Sequence, residues 1–330
     1  MDSPHIDTQP IQEELDWARQ LLDRARRAIA AAVVGQKRMI DGLFMGILAG
    51  GHVLLEGVPG LAKTLAVKSL AQSIDASFKR IQFTPDLLPA DLTGTLVYRQ
   101  ETGEFIPRKG PVFSNIILAD EVNRAPAKVQ SALLEAMEER QVTLGDTTYV
   151  LPEPFFVLAT QNPIEHEGTY PLPEAQLDRF ILKILVDYPN AEEEKEILRR
   201  AGSGATRPVD RVLSPTDIHS LREIVSRVTV DERIETYIVA LVNASREKKR
   251  LASYSRYIEF GASPRASIYL YRSAKVQAFF EGRSYVLPED VKTVAPSVLR
   301  HRIVLSYEAE SDELSADEVV KNLLGAVPVP

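Results

Sequence analysis

A short loop in the sequence carries the residue types that bind the phosphates of a nucleotide. It reads Gly57-Val58-Pro59-Gly60-Leu61-Ala62-Lys63-Thr64 and lies between an apolar run at residues 52–56 and a helix-forming run at residues 62–74. Where a strand, a glycine-containing loop and a helix follow one another, backbone N–H groups converge on an anion at the helix N-terminus. We therefore predict that the Lys63 ammonium reaches the terminal phosphates and that the Thr64 hydroxyl binds the accompanying Mg²⁺.

One residue departs from the pattern G-x-x-x-x-G-K-[ST] of such loops, because Ala62 stands where the second glycine is expected. A methyl group there crowds the phosphates a little, but alanine accepts helical backbone angles and begins a helix well. Taken alone, the loop is also compatible with a Gly/Pro turn that happens to carry a lysine.

Two carboxylates follow a second apolar run, at residues 115–119. A continuous apolar run is typical of a strand in a parallel sheet that is covered on both faces, and ligands bind at the carboxyl ends of such strands. We expect Asp120 to hold Mg²⁺, directly or through water, and Glu121 to polarise the water that attacks the γ-phosphorus. An acid pair after a strand is commonly a polar turn, but the phosphate loop upstream favours the catalytic interpretation.

A third apolar run, at residues 155–159, ends at Thr160-Gln161-Asn162. The Asn162 amide is placed to orient the attacking water. A turn-forming asparagine before Pro163 explains the local sequence equally well.

The order of the predicted elements divides the chain into regions. Residues 1–32 form a tail and a helix, and strands then alternate with helices as far as residue 190. Two β-hairpins, at residues 94–107 and 141–151, interrupt the alternation. From residue 191 to residue 330 the sequence predicts helices and a short tail. We therefore predict an α/β core at residues 33–190, with a parallel sheet between helices and two hairpin inserts, followed by an all-α domain.

Composition limits the class of protein. The net charge of the 330 residues is −7 and cysteine is absent, which excludes disulfides and thiolate metal sites and disfavours a nucleic-acid partner. No apolar run approaches the roughly 18 residues that cross a bilayer. The polar N-terminus does not resemble a signal peptide, so we expect a cytoplasmic protein without membrane insertion.

Over roughly residues 33–305, the chain resembles the MoxR family of AAA+ ATPases. The resemblance rests on the phosphate loop, in which Ala-Lys-Thr is a familiar family variant, and on further runs. These are Ile117-Leu118-Ala119-Asp120-Glu121-Val122-Asn123-Arg124-Ala125, Ala159-Thr160-Gln161-Asn162-Pro163-Ile164-Glu165 with Gly168-Thr169-Tyr170-Pro171-Leu172-Pro173-Glu174-Ala175-Gln176-Leu177-Asp178-Arg179-Phe180, and Gly261-Ala262-Ser263-Pro264-Arg265. It implies a P-loop AAA+ core followed by a helical lid domain.

The resemblance also implies residue roles. Lys63 and Thr64 belong to the Walker A motif, Asp120 and Glu121 form the Walker B pair, and Asn162 is sensor 1. Arg265 is similar to sensor 2, an arginine that reports the γ-phosphate, and Arg179 to a finger that reaches the nucleotide of a neighbouring subunit. For either arginine alone, a surface ion pair is the plainer interpretation.

The implied ligands are ATP and Mg²⁺, with Thr64 and Asp120 at the metal. The segment Val34-Gly35-Gln36 resembles the part of the family that lies near adenine. The residues expected to contact the nucleotide are Val34, Gly35, Gln36, Gly57, Val58, Pro59, Gly60, Leu61, Ala62, Lys63, Thr64, Leu65 and Asp120.

The family implies a ring, expected to be a hexamer, that remodels, assembles or activates other proteins, often with a partner that contains a von Willebrand factor A domain. Two alternatives remain. The first is an AAA+ motor acting on nucleic acid, with Arg99, Arg108 and Lys109 of the first hairpin as phosphate contacts. The second is a nucleotide switch that hydrolyses poorly, which the intact Asp120–Glu121 pair disfavours.

Overall fold

The computed structural model describes residues 9–58, 60–162, 169–203, 208–247 and 255–330. Pro59 and residues 163–168, which belong to two of the motifs above, lie outside the described residues. The chain forms two compact units: the first is Ala25–Ile218, and the second joins the residues up to Arg24 to His219–Pro330.

The strands of the described residues are β1 (His52–Glu56), β2 (Phe78–Gln82), β3 (Gly94–Arg99), β4 (Glu104–Lys109), β5 (Ile116–Asp120), β6 (Gln141–Leu144), β7 (Thr147–Val150), β8 (Phe156–Gln161), β9 (Phe180–Leu185), β10 (Ile258–Phe260) and β11 (Val304–Leu305). The helices are α1 (Gln9–Ala32), α2 (Lys37–Leu48), α3 (Lys63–Ser73), α4 (Pro89–Thr93), α5 (Ala127–Glu139), α6 (Glu174–Leu177), α7 (Ala191–Ser203), α8 (Pro215–Ser226), α9 (Glu232–Ala244), α10 (Pro264–Phe280), α11 (Pro288–Leu299), α12 (Tyr307–Ser311) and α13 (Ala316–Ala326).

The first unit is built on a parallel sheet with the strand order β2-β5-β8-β1-β9. The three central strands are almost entirely buried, as expected for continuous apolar runs covered on both faces. On one face, α5 packs Leu133 and Met137 into the same core as Ile117 and Val157 of the sheet. The predicted α/β core is confirmed, and all five strands end at one carboxyl edge.

Both predicted hairpins are present. β3 pairs antiparallel with β4, and β6 pairs antiparallel with β7 through a turn at Gly145, whose φ is +62°. A Cβ at Gly145 would lie 2.7 Å from the Leu96 side chain. The two hairpins therefore pack against each other.

The second unit consists mainly of helices, as predicted, with α10 packed against α9 and α11. One feature not predicted is a two-stranded antiparallel sheet, in which Ile258 pairs with Leu305. The strands are only 3 and 2 residues long, too short for an alternating pattern to be visible in the sequence. No helix in the described ranges combines the length and the hydropathy of a membrane span.

The first compact unit extends beyond residue 190, the predicted end of the α/β core, to Ile218. Specific contacts hold the additional segment. Arg200 of α7 donates to the backbone oxygen of Ala31 at 2.8 Å, and Leu213 donates to that of Ser73 at 2.8 Å. The helix α7 thus belongs to the unit that contains the sheet.

Candidate functional site

The predicted phosphate loop connects the carboxyl end of β1 to the first turn of α3. Gly57 has no room for a side chain, because an added Cβ would lie 2.8 Å from the backbone oxygen of Val186. Gly60, with φ +88°, takes a conformation that residues with a side chain rarely adopt. The Lys63 ammonium donates to the Gly57 carbonyl at 2.5 Å, so the lysine folds back over the loop.

Ala62 has a left-handed backbone, with φ 55° and ψ 19°. The expectation that it takes the backbone angles of a right-handed helix is therefore wrong, and α3 begins at Lys63. A left-handed conformation costs a residue with a Cβ roughly 1–2 kcal/mol. The loop thus keeps a shape that favours glycine at this position, although the residue is alanine.

Lys63 lies among acidic groups. Burial lowers the pKa of the Lys63 ammonium below its usual value, and the carboxylates of Asp120, Glu121 and Glu56 oppose part of this change. These three carboxylates are therefore close enough to interact with the lysine. The structure thus brings the phosphate loop and the Asp120–Glu121 pair into one site, as predicted.

Both oxygens of Asp120 have partners on neighbouring strands. Oδ1 accepts a hydrogen bond from the Thr160 hydroxyl of β8 at 2.6 Å. Oδ2 accepts from Nε and Nη2 of Arg80 of β2 at 2.9 and 2.6 Å. Asp120 is only 9% exposed, and a carboxylate removed from water to this extent needs such compensation.

Glu121 also has a constrained conformation, with φ +56°. Its N–H donates to the Thr160 hydroxyl at 2.8 Å. Its carboxylate accepts from the Gln82 amide at 2.8 Å and pairs with Nε of Arg124 at 3.3 Å. The predicted catalytic base therefore has a defined orientation, which is set by groups from β2, β8 and the turn that follows β5.

No role was predicted from the sequence for Arg80, Gln82 or Thr160. The sequence did contain a signal for two of them. Arg80 and Gln82 are two positions apart in β2 and so lie on the same face of the strand. Only the pairing of β2 with β5, in which Gln82 is in register with Asp120, shows that this face adjoins the acid pair.

The other predicted residues of this edge are also in place. Asn162 is 7% exposed and follows β8, which lies between β5 and β1 in the sheet. Thr64 is half-buried in the first turn of α3. The Leu65 side chain is 45% exposed and has no visible role in the cradle.

An apolar cavity of about 390 Å³ adjoins the phosphate loop. Its lining residues are Val34, Gln36, Gly60, Leu61, Ala62, Tyr188, Pro189, Glu194, Ile197 and Leu198. The Gln36 amide donates to the backbone oxygen of Asp187 at 3.0 Å. Gly35 has φ +66°, and a Cβ there would lie 2.6 Å from the Glu193 carboxyl group. The predicted adenine segment, residues 34–36, thus forms one wall of a pocket next to the cradle.

The opposite wall was not predicted. Tyr188 and Leu198 are 71% and 72% exposed, which is unusual for large apolar side chains that have no ligand or partner. Ile197 and Leu198 are adjacent apolar residues in α7, a helix that is otherwise mostly charged. This apolar pair in a charged helix was the signal in the sequence for the second wall of the cavity.

Arg179 does not reach this edge in its own chain. It precedes β9, whose first residue, Phe180, is in register with His52 at the start of β1. The two strands are parallel, so Arg179 lies at the amino-terminal edge of the sheet, about 15 Å from the carboxyl edge at a rise of about 3.3 Å per residue. There it pairs with Glu138 of α5 at 2.8 Å.

Arg265 belongs to the second unit. It lies in the first turn of α10, where its N–H donates to the hydroxyl of the capping Ser263 at 3.2 Å. The Arg265 side chain is half-buried. The predicted position of this arginine at the beginning of a helix is thus confirmed.

The donor atoms at the loop fit Mg²⁺. This ion prefers oxygen ligands and is usually held by one or two side chains together with phosphate oxygens and water. Thr64 and Asp120 offer a hydroxyl and a carboxylate. Across the described ranges, no group of three or more His, Cys, Asp or Glu is suited to a metal ion. The donor set is that of a metal that binds together with a nucleotide.

Comparison with known proteins agrees with this geometry. Residues 52–182 match the model of the ATPase family associated with various cellular activities (AAA), and residues 252–323 match an AAA lid domain. Chaperone MoxR1 of Mycobacterium tuberculosis is 50% identical over 94% of this chain and 82% of its own length. Protein MoxR of Methylorubrum extorquens is 33% identical over 96% of each chain. The crystal structure of a protein described as a candidate ATPase, from Cytophaga hutchinsonii, has a TM-score of 0.92 at 51% identity and covers 98% of this chain and 99% of its own.

Proposed function

Because the chain belongs to the MoxR family of AAA+ ATPases, we propose that it hydrolyses ATP to remodel, assemble or activate partner proteins, as a hexameric ring. The observation that carries the proposal is the convergence of Lys63 with the carboxylates of Asp120 and Glu121 at one edge of the sheet. The relative MoxR1 is named a chaperone, which supports a protein as the client.

Each residue at the carboxyl edge then has a chemical task. The loop N–H groups and Lys63 bind the β- and γ-phosphates and neutralise their charge. Glu121 accepts a proton from the water whose oxygen attacks the γ-phosphorus, while the bond to the ADP oxygen breaks, and the Asn162 amide orients that water. Thr64 and Asp120 would hold Mg²⁺, which further neutralises the phosphates when it is bound.

The cavity beside the loop suits the base and ribose of the nucleotide. It is apolar, it adjoins Gly60 and Ala62, and its volume of about 390 Å³ is in the usual range for small-molecule sites. Tyr188 and Leu198 are then covered by the base, which gives these two exposed apolar side chains a role. For Arg265 we propose the sensor 2 role that the family implies, a contact to the γ-phosphate.

The position of Arg179 supports a site shared between subunits. A guanidinium stabilises the charge of the transition state only if it reaches the transferred phosphate, and Arg179 lies at the opposite edge of its own sheet. It can act on the nucleotide of a neighbouring copy, so that hydrolysis depends on assembly of the ring.

The test is ATP hydrolysis per subunit across a range of protein concentrations, for the wild-type protein, for Arg179→Ala and for Glu121→Gln. We expect specific activity to rise with concentration and each variant alone to be inactive. An equimolar mixture of the variants recovers activity, because each supplies the residue that the other lacks. Activity that is flat with concentration, together with a harmless Arg179→Ala, would contradict the shared site.

The surface formed by the two hairpins is the proposed contact with a client or with a partner that has a von Willebrand factor A domain. Tyr98 and Phe105 pack against each other at its surface, with ring centroids 5.3 Å apart, and are 52% and 66% exposed. Exposed aromatic pairs are typical of protein interfaces. The double variant Tyr98→Ser, Phe105→Ser should abolish partner binding and leave basal ATPase activity intact. We place the protein in the cytoplasm.

A nucleic-acid motor is the second candidate, because Arg99 and Arg108 are exposed on the same hairpin. The net charge of −7 and the acidic neighbours Glu101 and Glu104 disfavour it. Salt-sensitive stimulation of ATPase activity by single- or double-stranded DNA would favour the motor. Unchanged activity supports the protein-remodelling function.

A further inference from the structure

Arg80 interacts with the predicted metal ligand from the side opposite the phosphate loop. In the strand order β2-β5-β8-β1, Asp120 lies on β5, the loop follows β1, and Arg80 comes from β2. Two N–H groups of Arg80 donate to Oδ2 of Asp120 at 2.9 and 2.6 Å. Nη2 of Arg80 also donates to Oε1 of Gln82 at 2.9 Å. The guanidinium is therefore held in place by two neighbours.

The hydrogen bonds leave Asp120 little capacity for a further ligand. A carboxylate offers about four lone-pair directions. Arg80 occupies two of them on Oδ2, and the Thr160 hydroxyl occupies one on Oδ1 at 2.6 Å. A divalent cation has to share what remains with a guanidinium on the same group.

The charges at this edge of the sheet also disfavour the binding of a divalent cation. Asp120 pairs with Arg80 at 2.6 Å and Glu121 with Arg124 at 3.3 Å. Glu56 pairs with Lys183 at 2.7 Å. Each carboxylate thus has its own cation, and Lys63 adds another positive charge. Such a site attracts a polyanionic triphosphate but offers no excess negative charge to a bare divalent cation.

We propose that Arg80 is a positioning residue that neutralises Asp120 and prevents a divalent cation from binding before the nucleotide does. The metal then enters with the triphosphate, whose oxygens supply the missing ligands and negative charge. This inference rests on the proposed function, in which Asp120 is a metal ligand. ATPase activity does not by itself require that the metal and the nucleotide bind in a particular order.

The test is a titration of the nucleotide-free protein with Mn²⁺, in which the free ion is measured by its electron paramagnetic resonance signal. We expect Arg80→Gln to gain one Mn²⁺ site that is at least about tenfold tighter than any site of the wild-type protein. Lys79→Gln is the matched control. It removes the same charge from the neighbouring position of β2, whose side chain points to the other face, and it should bind Mn²⁺ like the wild type.

Two further variants identify the cause. Arg80→Gln with Asp120→Asn should lose the gained site, and Arg80→Lys should not gain one, because the charge is retained. The inference is overturned if Arg80→Gln, folded by circular dichroism, binds Mn²⁺ no more tightly than the wild type, or if the double variant keeps the gain. The Mn²⁺ titration contains no nucleotide and is therefore independent of ATP hydrolysis. A wild-type protein that fails to hydrolyse ATP would contradict the proposed function, whereas the Mn²⁺ affinities alone decide the role of Arg80.

Discussion

The guanidinium of Arg179 pairs with the carboxylate of Glu138 at 2.8 Å, at the edge of the sheet opposite the phosphate loop. Their side chains are 32% and 35% exposed, so solvent weakens the pair, and it contributes at most about 1 kcal/mol. If Arg179 acts on a neighbouring nucleotide, the Glu138 carboxylate competes with the phosphate for the same guanidinium.

We therefore expect Glu138→Gln to increase ATP turnover at saturating protein concentration by up to about fivefold, the equivalent of about 1 kcal/mol. The control is Glu139→Gln, the same charge change at the next residue of α5, which should have little effect. A fall of tenfold or more in Glu138→Gln would show instead that Glu138 orients Arg179 for catalysis.

The left-handed backbone of Ala62 leads to a second prediction. Glycine accepts this conformation without the steric cost that alanine bears, so Ala62→Gly should stabilise the nucleotide-free protein by about 1 kcal/mol. Thermal unfolding should show an increase in Tm of about 2 °C. Ala66→Gly, in the interior of the helix that Ala62 precedes, should lower stability because glycine weakens a helix interior. A decrease in Tm for Ala62→Gly would mean that the loop does not hold this conformation in solution.

Thr160 connects Asp120 and Glu121, since its hydroxyl donates to Asp120 and accepts from the N–H of Glu121. Valine has a shape similar to that of threonine, but Thr160→Val leaves the Asp120 carboxylate and the Glu121 N–H without the hydroxyl as a hydrogen-bond partner. It should lower the free energy of unfolding by about 2 kcal/mol and reduce ATP turnover at least about tenfold. Thr160→Ser keeps the hydroxyl and should retain most of the turnover. Equal losses in the Val and Ser variants would show that the hydrogen bonds of the hydroxyl do not by themselves account for the effect.

Tyr237 is 2% exposed, and its hydroxyl has no hydrogen-bond partner within the part of the chain that the structure describes. Burial, with a smaller contribution from the Glu289 carboxylate, raises the pKa of this hydroxyl. The neutral phenol is favoured in the folded state, so its contribution is complete below the unfolded pKa of about 10 and is lost as the pH rises above it.

Tyr237→Phe should therefore unfold at the same or a higher temperature near pH 7 and lose less stability than the wild type between about pH 9.5 and pH 11. Chemical denaturation at several pH values measures this difference. Tyr307→Phe, at a site that is 81% exposed, should follow the wild-type profile. Parallel profiles for Tyr237→Phe and the wild type would show that the hydroxyl ionises as readily in the folded protein as in the unfolded chain.

Several features could be predicted from the sequence because the signals are local. Apolar runs without alternation identified β1, β5 and β8, and the loop before Lys63 was recognisable from residue types alone. The acid pair at the end of β5 was found because the carboxyl ends of parallel strands meet at one edge. These predictions needed no knowledge of which strands are neighbours.

The details of the site depended on contacts between residues distant in sequence. Arg80 reaches Asp120, 40 residues away, only because β2 adjoins β5. Tyr188 and Leu198 form the second wall of the cavity because α7 packs with the sheet unit. The backbone of Ala62 was mispredicted because helix propensity describes the helix interior, whereas the loop geometry decides the residue before it.

The sequence by itself thus determined which residue types are suited to phosphate and metal and which strands carry them, because motif spacing and strand periodicity are local properties. The tertiary structure decided which cation neutralises each carboxylate, and that Arg179 lies at the edge of the sheet away from its own loop. The physical reason is that strand order and register, which bring these residues together or keep them apart, depend on the packing of the whole sheet.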